Sequence, residues 1–165
     1  MKTVKLHNGI SMPQFGLGTF KTENGQTAYD TVKYALELGY RHIDTAQMYG
    51  NEDSIGDAIY DSKIKREDLF ITTKQQYHSS LENMKKMFED SLKKLKTDYV
   101  DLYLIHWPNH DASINQQSWA FFESLYESGK AKAIGISNFQ IHHIEDLLKT
   151  AKIIPIDRKS TRLNS

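Results

Sequence analysis

The chain contains no cysteine. Disulfides and thiolate-held metal sites are therefore excluded. Neither sign of charge is in excess: 21 Lys plus Arg stand against 21 Asp plus Glu, for a formal net charge of zero. That balance gives no electrostatic footprint for nucleic acid or an anionic membrane. No apolar run is long enough to cross a bilayer, Met1-Lys2-Thr3-Val4-Lys5 leads into no long apolar run, and a signal peptide is not expected. The expectation is a soluble, cytoplasmic protein with no nucleic-acid or membrane partner. Arginine is also scarce, and two of the four, Arg158 and Arg162, fall in the last eight residues. That segment has one large apolar residue and no period, so residues 157–165 are expected to be a non-native or disordered tail.

What the chain does have is rhythm. Its 165 residues suffice for one domain with a sizeable core. Four short apolar stretches each end in a polar residue, at Asp44, Lys74, His106 and Ser137, with gaps of 30, 32 and 31 residues. A strand, a loop, a helix and a return loop occupy roughly 30 residues. Constant spacing therefore points to repeated βα units. Parallel strands place their carboxyl ends on one face, so these four groups would converge there, as at the top of a (β/α) barrel.

The elements follow in order. Val4-Lys5-Leu6 and Ile10-Ser11-Met12 flank Asn8-Gly9, a hairpin signal. Phe15–Phe20 is a first barrel strand. A helix with Ala28, Val32, Ala35 and Leu36 on one face stops at Gly39. Strand two runs into Asp44, a short helix covers Asp53 to Tyr60, and strand three ends at Lys74. Ser79 and Glu82 have capping-box spacing ahead of Leu81, Met84, Phe88, Leu92 and Leu95. Val100–His106 is apolar at almost every position, which fits a strand buried on both faces of a parallel sheet. A helix with Trp119, Phe122, Leu125 and Tyr126 stops at Gly129. Strand Lys132–Ser137 follows, then a helix with Ile141, Ile144, Leu147 and Leu148. Ile153-Ile154-Pro155-Ile156 starts a sixth strand. The expected fold is α/β: a (β/α)8 TIM barrel, here incomplete at about five and a half βα units, with an N-terminal β-hairpin. A closed barrel needs eight strands and about 250 residues.

The chemistry centres on Tyr49, five residues past Asp44. A phenol with a pKa of about 10 is a poor acid at neutral pH. A cation nearby lowers that pKa, and Lys74 is placed to supply it. Asp44 could fix Lys74, and His106 could hydrogen-bond a substrate oxygen. Such a set suits protonation of an oxygen that gains negative charge, as in carbonyl reduction by hydride. Taken singly, each residue has a plainer role: Asp44 as a helix cap, Tyr49 as a loop or core aromatic, Lys74 as a solvated lysine, His106 as a core histidine, and Ser137 and Asn138 as N-caps. Their coincidence at carboxyl strand ends favours a site.

Other motifs carry less. Gly16-x-Gly18 has Lys21 at the third glycine position, so a dinucleotide-binding Rossmann fingerprint fails. Pro108 between His106 and His110 rules against a helical metal pair, and no metal site is expected. His142 and His143 are expected to be solvated, with adjacent helical residues facing different ways. The lysine pairs at 85–86 and 93–94 form an outer helix face.

Four stretches carry a resemblance: Gly39-Tyr-Arg-His-Ile-Asp-Thr-Ala through Tyr49-Gly-Asn-Glu52, Ile71-Thr-Thr-Lys74, Asp98-Tyr-Val-Asp-Leu-Tyr-Leu-Ile-His-Trp-Pro108, and Gly129-Lys followed by Ile134-Gly-Ile-Ser-Asn-Phe139. The chain resembles the aldo-keto reductases over residues 1–156, and among them the small bacterial reductases related to diketogluconate reductases. The resemblance implies reduction of aldehydes and ketones with NADPH on a (β/α)8 barrel that is monomeric at full length. It implies Tyr49 as proton donor, Lys74 and Asp44 as the groups lowering its pKa, and His106 as the group orienting the carbonyl. Ser137 and Asn138 would hold the nicotinamide carboxamide, Thr19 and Asp44 would lie near the ribose, and Trp107 would line the substrate pocket. In relatives the sixth strand continues into a segment like Val-Asn-Gln, where this chain has Asp157-Arg158-Lys159. The chain is accordingly expected to be a truncated form with weak or no activity of its own. The alternative is a non-catalytic barrel remnant or interaction domain.

Overall fold

The computed structural model describes residues 2–76 and 78–155, together with the backbone of 158–159. Two strands, β1 (Thr3–Lys5) and β2 (Ser11–Pro13), pair antiparallel with Val4 opposite Met12. The Gly9 amide donates to Leu6 O and the Leu6 amide to Ile10 O, so the loop has three residues, with Gly9 at φ 88°. This is the type I turn closed by a left-handed residue, which favours glycine.

The body follows as β3 (Leu17–Gly18), α1 (Gln26–Glu37), β4 (His42–Asp44), α2 (Glu52–Asp61), β5 (Phe70–Gln75), α3 (Leu81–Lys94), β6 (Leu102–Ile105), α4 (Ala112–Glu127), β7 (Ile134–Ser137), α5 (Ile141–Leu148) and β8 (Arg158–Lys159). The strands β3 to β8 form one sheet in chain order, each parallel to the last. Sequential parallel strands with a crossover after each are the front part of a (β/α) barrel. No helix among the described residues is long and apolar enough to cross a membrane.

Alternation along the strands sorts the residues into two faces. Ile43, Ile71, Tyr103, Ile105, Ile134 and Ile136 point outward and pack under the helices with Val32, Leu36, Ile55, Phe88, Trp119 and Phe122. Phe70, Leu102, Leu104 and Ala133 point inward, where Leu6, Ile10 and Met12 of the hairpin cover them. Asn8 Nδ2 donates to Lys132 O at 3.1 Å and ties the hairpin beneath the sheet. Helix α2 reaches α3 closely enough that a Cβ on Gly56 would lie 2.0 Å from Lys94 O.

Several boundaries differ from expectation. The first strand shrinks to two paired residues, and Phe15 and Phe20 are exposed. The N-cap of α3 is Ser80, whose side chain accepts from the Asn83 amide, rather than Ser79, whose hydroxyl accepts from Asn83 Nδ2. Helix α5 buries Leu147 but leaves Ile141 and Leu148 exposed. The sixth strand does not start at Ile153. Glu123 Oε1 accepts from the Lys152 and Ile153 amides and Trp119 Nε1 donates to Ile153 O, which holds this segment in a bend against α4. The pairing with β7 comes at Arg158 and Lys159, opposite Ile136 and Ser137. Of the remaining expected tail, Asp157 and residues 160–165 lie outside the described residues, as does Ile156.

Candidate active site

Register explains why the strand ends meet. Asp44 is level with Thr72, Lys74 with Leu104, and Ile105 with Ile136. Each step of two residues preserves the face. Lys74 therefore points the same way as Thr72 and Asp44, and His106 and Ser137 the same way as Leu104. All four project inward at the carboxyl rim.

Lys74 is the pivot. It is 1% exposed, and its Nζ donates to Asp44 Oδ1 at 2.5 Å and to Thr45 O at 2.7 Å. A buried ammonium is tolerable only with such partners. The same Nζ lies 5.1 Å from the centroid of the Tyr49 ring. Tyr49 ends a one-turn 3-10 helix, Gln47–Tyr49, closed by Gly50 at φ 67°. Its ring packs edge-on to His106 at 5.7 Å between centroids and against Phe20 at 5.2 Å. Phenol, ammonium, carboxylate and imidazole thus crowd one rim.

Electrostatics correct one expectation. Tyr49 is not shifted toward phenolate; its pKa is pushed up to about 12, first by burial and then by the negative charge of Asp44. The Lys74 ammonium bonds Asp44 and Thr45 O, and half-burial removes the water that would solvate a phenolate. The phenol is therefore fully protonated at neutral pH.

The other expected residues lie along the same rim. Thr19 is buried, and its amide and hydroxyl both donate to Asp44 O, at 3.0 and 3.3 Å. Ser137 is buried at the end of β7. Asn138, at φ 64°, donates from Nδ2 to His106 O at 2.8 Å and to Ser137 Oγ at 3.1 Å. Neither caps α5, whose N-cap is Gln140. Asp44 is not the N-cap of any helix among the described residues. Trp107 stands half-exposed, its ring 6.3 Å from that of His106. His142 and His143, expected to face apart, have ring centroids 3.9 Å apart, because His143 Nδ1 turns back to accept from the Gln140 amide.

Sequence reasoning passed over several contributors. Asn51 is fully buried, with Nδ2 donating to Thr19 O and Thr22 O and Oδ1 accepting from Thr45 Oγ1. His78 bridges Ser118 Oγ and Trp107 O, at 2.8 and 2.7 Å. Residues 14–164 match the Aldo/keto reductase family. The chain belongs to that family. This aldo/keto reductase chain is 52% identical over 159 residues to the glyoxal reductase of Bacillus subtilis, covering 93% of itself and 55% of that protein. It is 40% identical to the methylglyoxal reductase DkgA of Escherichia coli, again covering 93% of itself and 55% of the relative. It superposes on the aldo/keto reductase of Brucella melitensis with a TM-score of 0.91 at 45% identity, over 96% of this chain and 62% of that one. With the Bombyx mori aldo-keto reductase in complex with NADP the TM-score is 0.86 at 31% identity, over 96% and 57%. This aldo/keto reductase chain thus spans little more than half the length of the curated relatives it matches.

Proposed function

We propose that this chain carries the proton-donating side of a site for NADPH-dependent reduction of aldehydes and ketones to alcohols. The observation that carries the reading is the buried Lys74 ammonium, 2.5 Å from Asp44 and 5.1 Å from the ring of Tyr49, which itself packs on His106. Tyr49 holds a proton at its hydroxyl and gives it to a carbonyl oxygen as negative charge builds there. The Lys74 ammonium stabilises the phenolate left behind. Asp44 keeps that ammonium in place, and His106 orients the carbonyl.

Polar groups on the same rim suit the nicotinamide end of a dinucleotide. Ser137 would offer a hydroxyl and Asn138 an amide for the carboxamide, and Thr19 and Asp44 would lie near the ribose. When bound, NADPH supplies the hydride. Trp107 and its half-exposed indole line the substrate side. Two of the relatives are named for glyoxal and methylglyoxal reduction, which makes small dicarbonyls the first substrates to try. Where the resemblance implies a Val-Asn-Gln-like segment completing the carboxamide site, this chain has Asp157-Arg158-Lys159. The 165-residue chain on its own is therefore expected to turn over weakly or not at all.

The test is NADPH consumption with methylglyoxal. Robust turnover by this chain sinks the claim of weak activity. In a version extended to the length of its relatives, Tyr49→Phe should lower the rate by at least about 100-fold. A rate that survives the exchange sinks the phenol's role.

A further inference from the structure

Behind the rim, on the outer face of the sheet, lies a buried carboxyl that the reaction does not use. Glu52, the first residue of α2, is 3% exposed. Its Oε1 accepts from Thr73 Oγ1 at 2.6 Å and its Oε2 from Ser91 Oγ at 3.0 Å. Among the described residues no cation lies within ion-pair distance of it; Lys94, whose charge it feels, is bonded to Asp90. Ser91 Oγ in turn accepts from Gln47 Nε2 at 3.0 Å. That amide also reaches Met87 O and Tyr103 Oη, while Gln47 Oε1 accepts from the Gln76 amide at 2.8 Å.

The two ends of this chain of bonds matter. Thr73 directly precedes Lys74 on β5, and Gln47 begins the one-turn helix that ends at Tyr49. A buried carboxyl without a cation is an expensive way to fasten two elements, and apolar packing would do as well for stability alone. A fully bonded polar network fixes geometry more sharply than apolar contact does. We propose that Glu52, acting through Thr73 on one side and through Ser91 and Gln47 on the other, is a positioning residue that sets the spacing between the Lys74 ammonium and the Tyr49 phenol. Glu52 itself touches neither group. The proposal rests on the reading of Tyr49 and Lys74 as the working pair, but its test does not depend on turnover.

Glu52→Gln and Gln47→Ala are made in the full chain, with Asp57→Asn on the exposed face of α2 as the control. Carbon-13 signals of the Tyr49 ring and the Lys74 side chain are followed across pH, together with the melting temperature. Glu52→Gln and Gln47→Ala should each move the Tyr49 titration midpoint by about half a unit or more. Asp57→Asn should leave it in place. If Glu52→Gln does not fold, Gln47→Ala carries the test alone. Signals that overlay those of the parent chain, whatever happens to the melting temperature, overturn the proposal and leave Glu52 as a structural tie. Shifted signals combined with full activity of a Tyr49→Phe extended enzyme would instead uphold the positioning and remove the function assigned to the phenol. In an active extended version the Glu52→Gln exchange should lower kcat by about 10- to 100-fold with the KM for NADPH little changed.

Discussion

Lys74 Nζ lies 2.5 Å from Asp44 Oδ1, with 1% of the lysine side chain and 15% of the aspartate side chain exposed. Removing one member of so buried a pair takes from the other the opposite charge bonded to it. Asp44→Ala and Lys74→Met are each expected to cost about 3–5 kcal/mol in urea unfolding. The double variant should cost clearly less than the sum, because both charges go together. Strict additivity would mean that the pair contributes no coupling.

Tyr49 is expected to ionise late. Its pKa of about 12 lies above the usual phenol value, because of burial and then the Asp44 carboxylate. The folded value is raised, so the associated stability is present below about pH 10 and lost as pH rises toward 12. A ring-labelled sample should show Tyr49 titrating above the ordinary phenol value of about 10. Asp44→Asn removes the second cause and should bring the midpoint down. A midpoint that rises in that variant would contradict the assignment.

Gly56 marks where α2 meets α3. An alanine there would push its Cβ to 2.0 Å from Lys94 O and 2.8 Å from Leu95 Cα, both backbone atoms. Gly56→Ala should destabilise by about 1–3 kcal/mol or more through overpacking. Gly18→Ala meets nothing within 4 Å and should change stability by less than about 0.5 kcal/mol. Calorimetric melting of the two variants gives the comparison directly.

His78 should make the loop beside the rim sensitive to mild acid. Burial holds its pKa below the ordinary histidine value, against the opposing effect of its bond to Trp107 O. Nε2 donates to that carbonyl, so the neutral ring carries its proton there and accepts from Ser118 at Nδ1. The unfolded chain takes up the proton first. The stability is thus fully present above about pH 6.5 and lost as pH falls through the lower folded value. His78→Asn should flatten the fall in melting temperature between about pH 7 and pH 5. His143, also lowered by burial and by the neighbouring His142 and His110, should leave a smaller residual slope.

Much of this architecture is legible in the residues themselves. The face Ala28, Val32, Ala35 and Leu36 is buried in α1 as its period requires, and Gly39 follows at φ 93°. Asp44, Lys74, His106 and Ser137 meet because equal spacing and strand parity are both sequence properties. Less legible is what depends on neighbours. Ser79 and Ser80 satisfy similar capping patterns, and only the path of the chain into α3 chooses between them. The sixth strand starts late because Glu123, 29 and 30 residues earlier, captures the Lys152 and Ile153 amides. The direction of the Tyr49 shift depends on how deep the ring sits and on where the Lys74 charge is spent, and neither is written in spacing. The Glu52 network joins three elements through single bonds, so no local period announces it.

The bond from Asn8 Nδ2 to Lys132 O spans 124 positions. Neighbouring strands of the sheet are close in sequence, whereas this tie between hairpin and sheet cannot form until Lys132 has left the ribosome. Until then the undersides of Phe70, Leu102 and Leu104 are left bare unless the hairpin waits against them. Nascent lengths that stop short of β7 are therefore the ones expected to bind a chaperone.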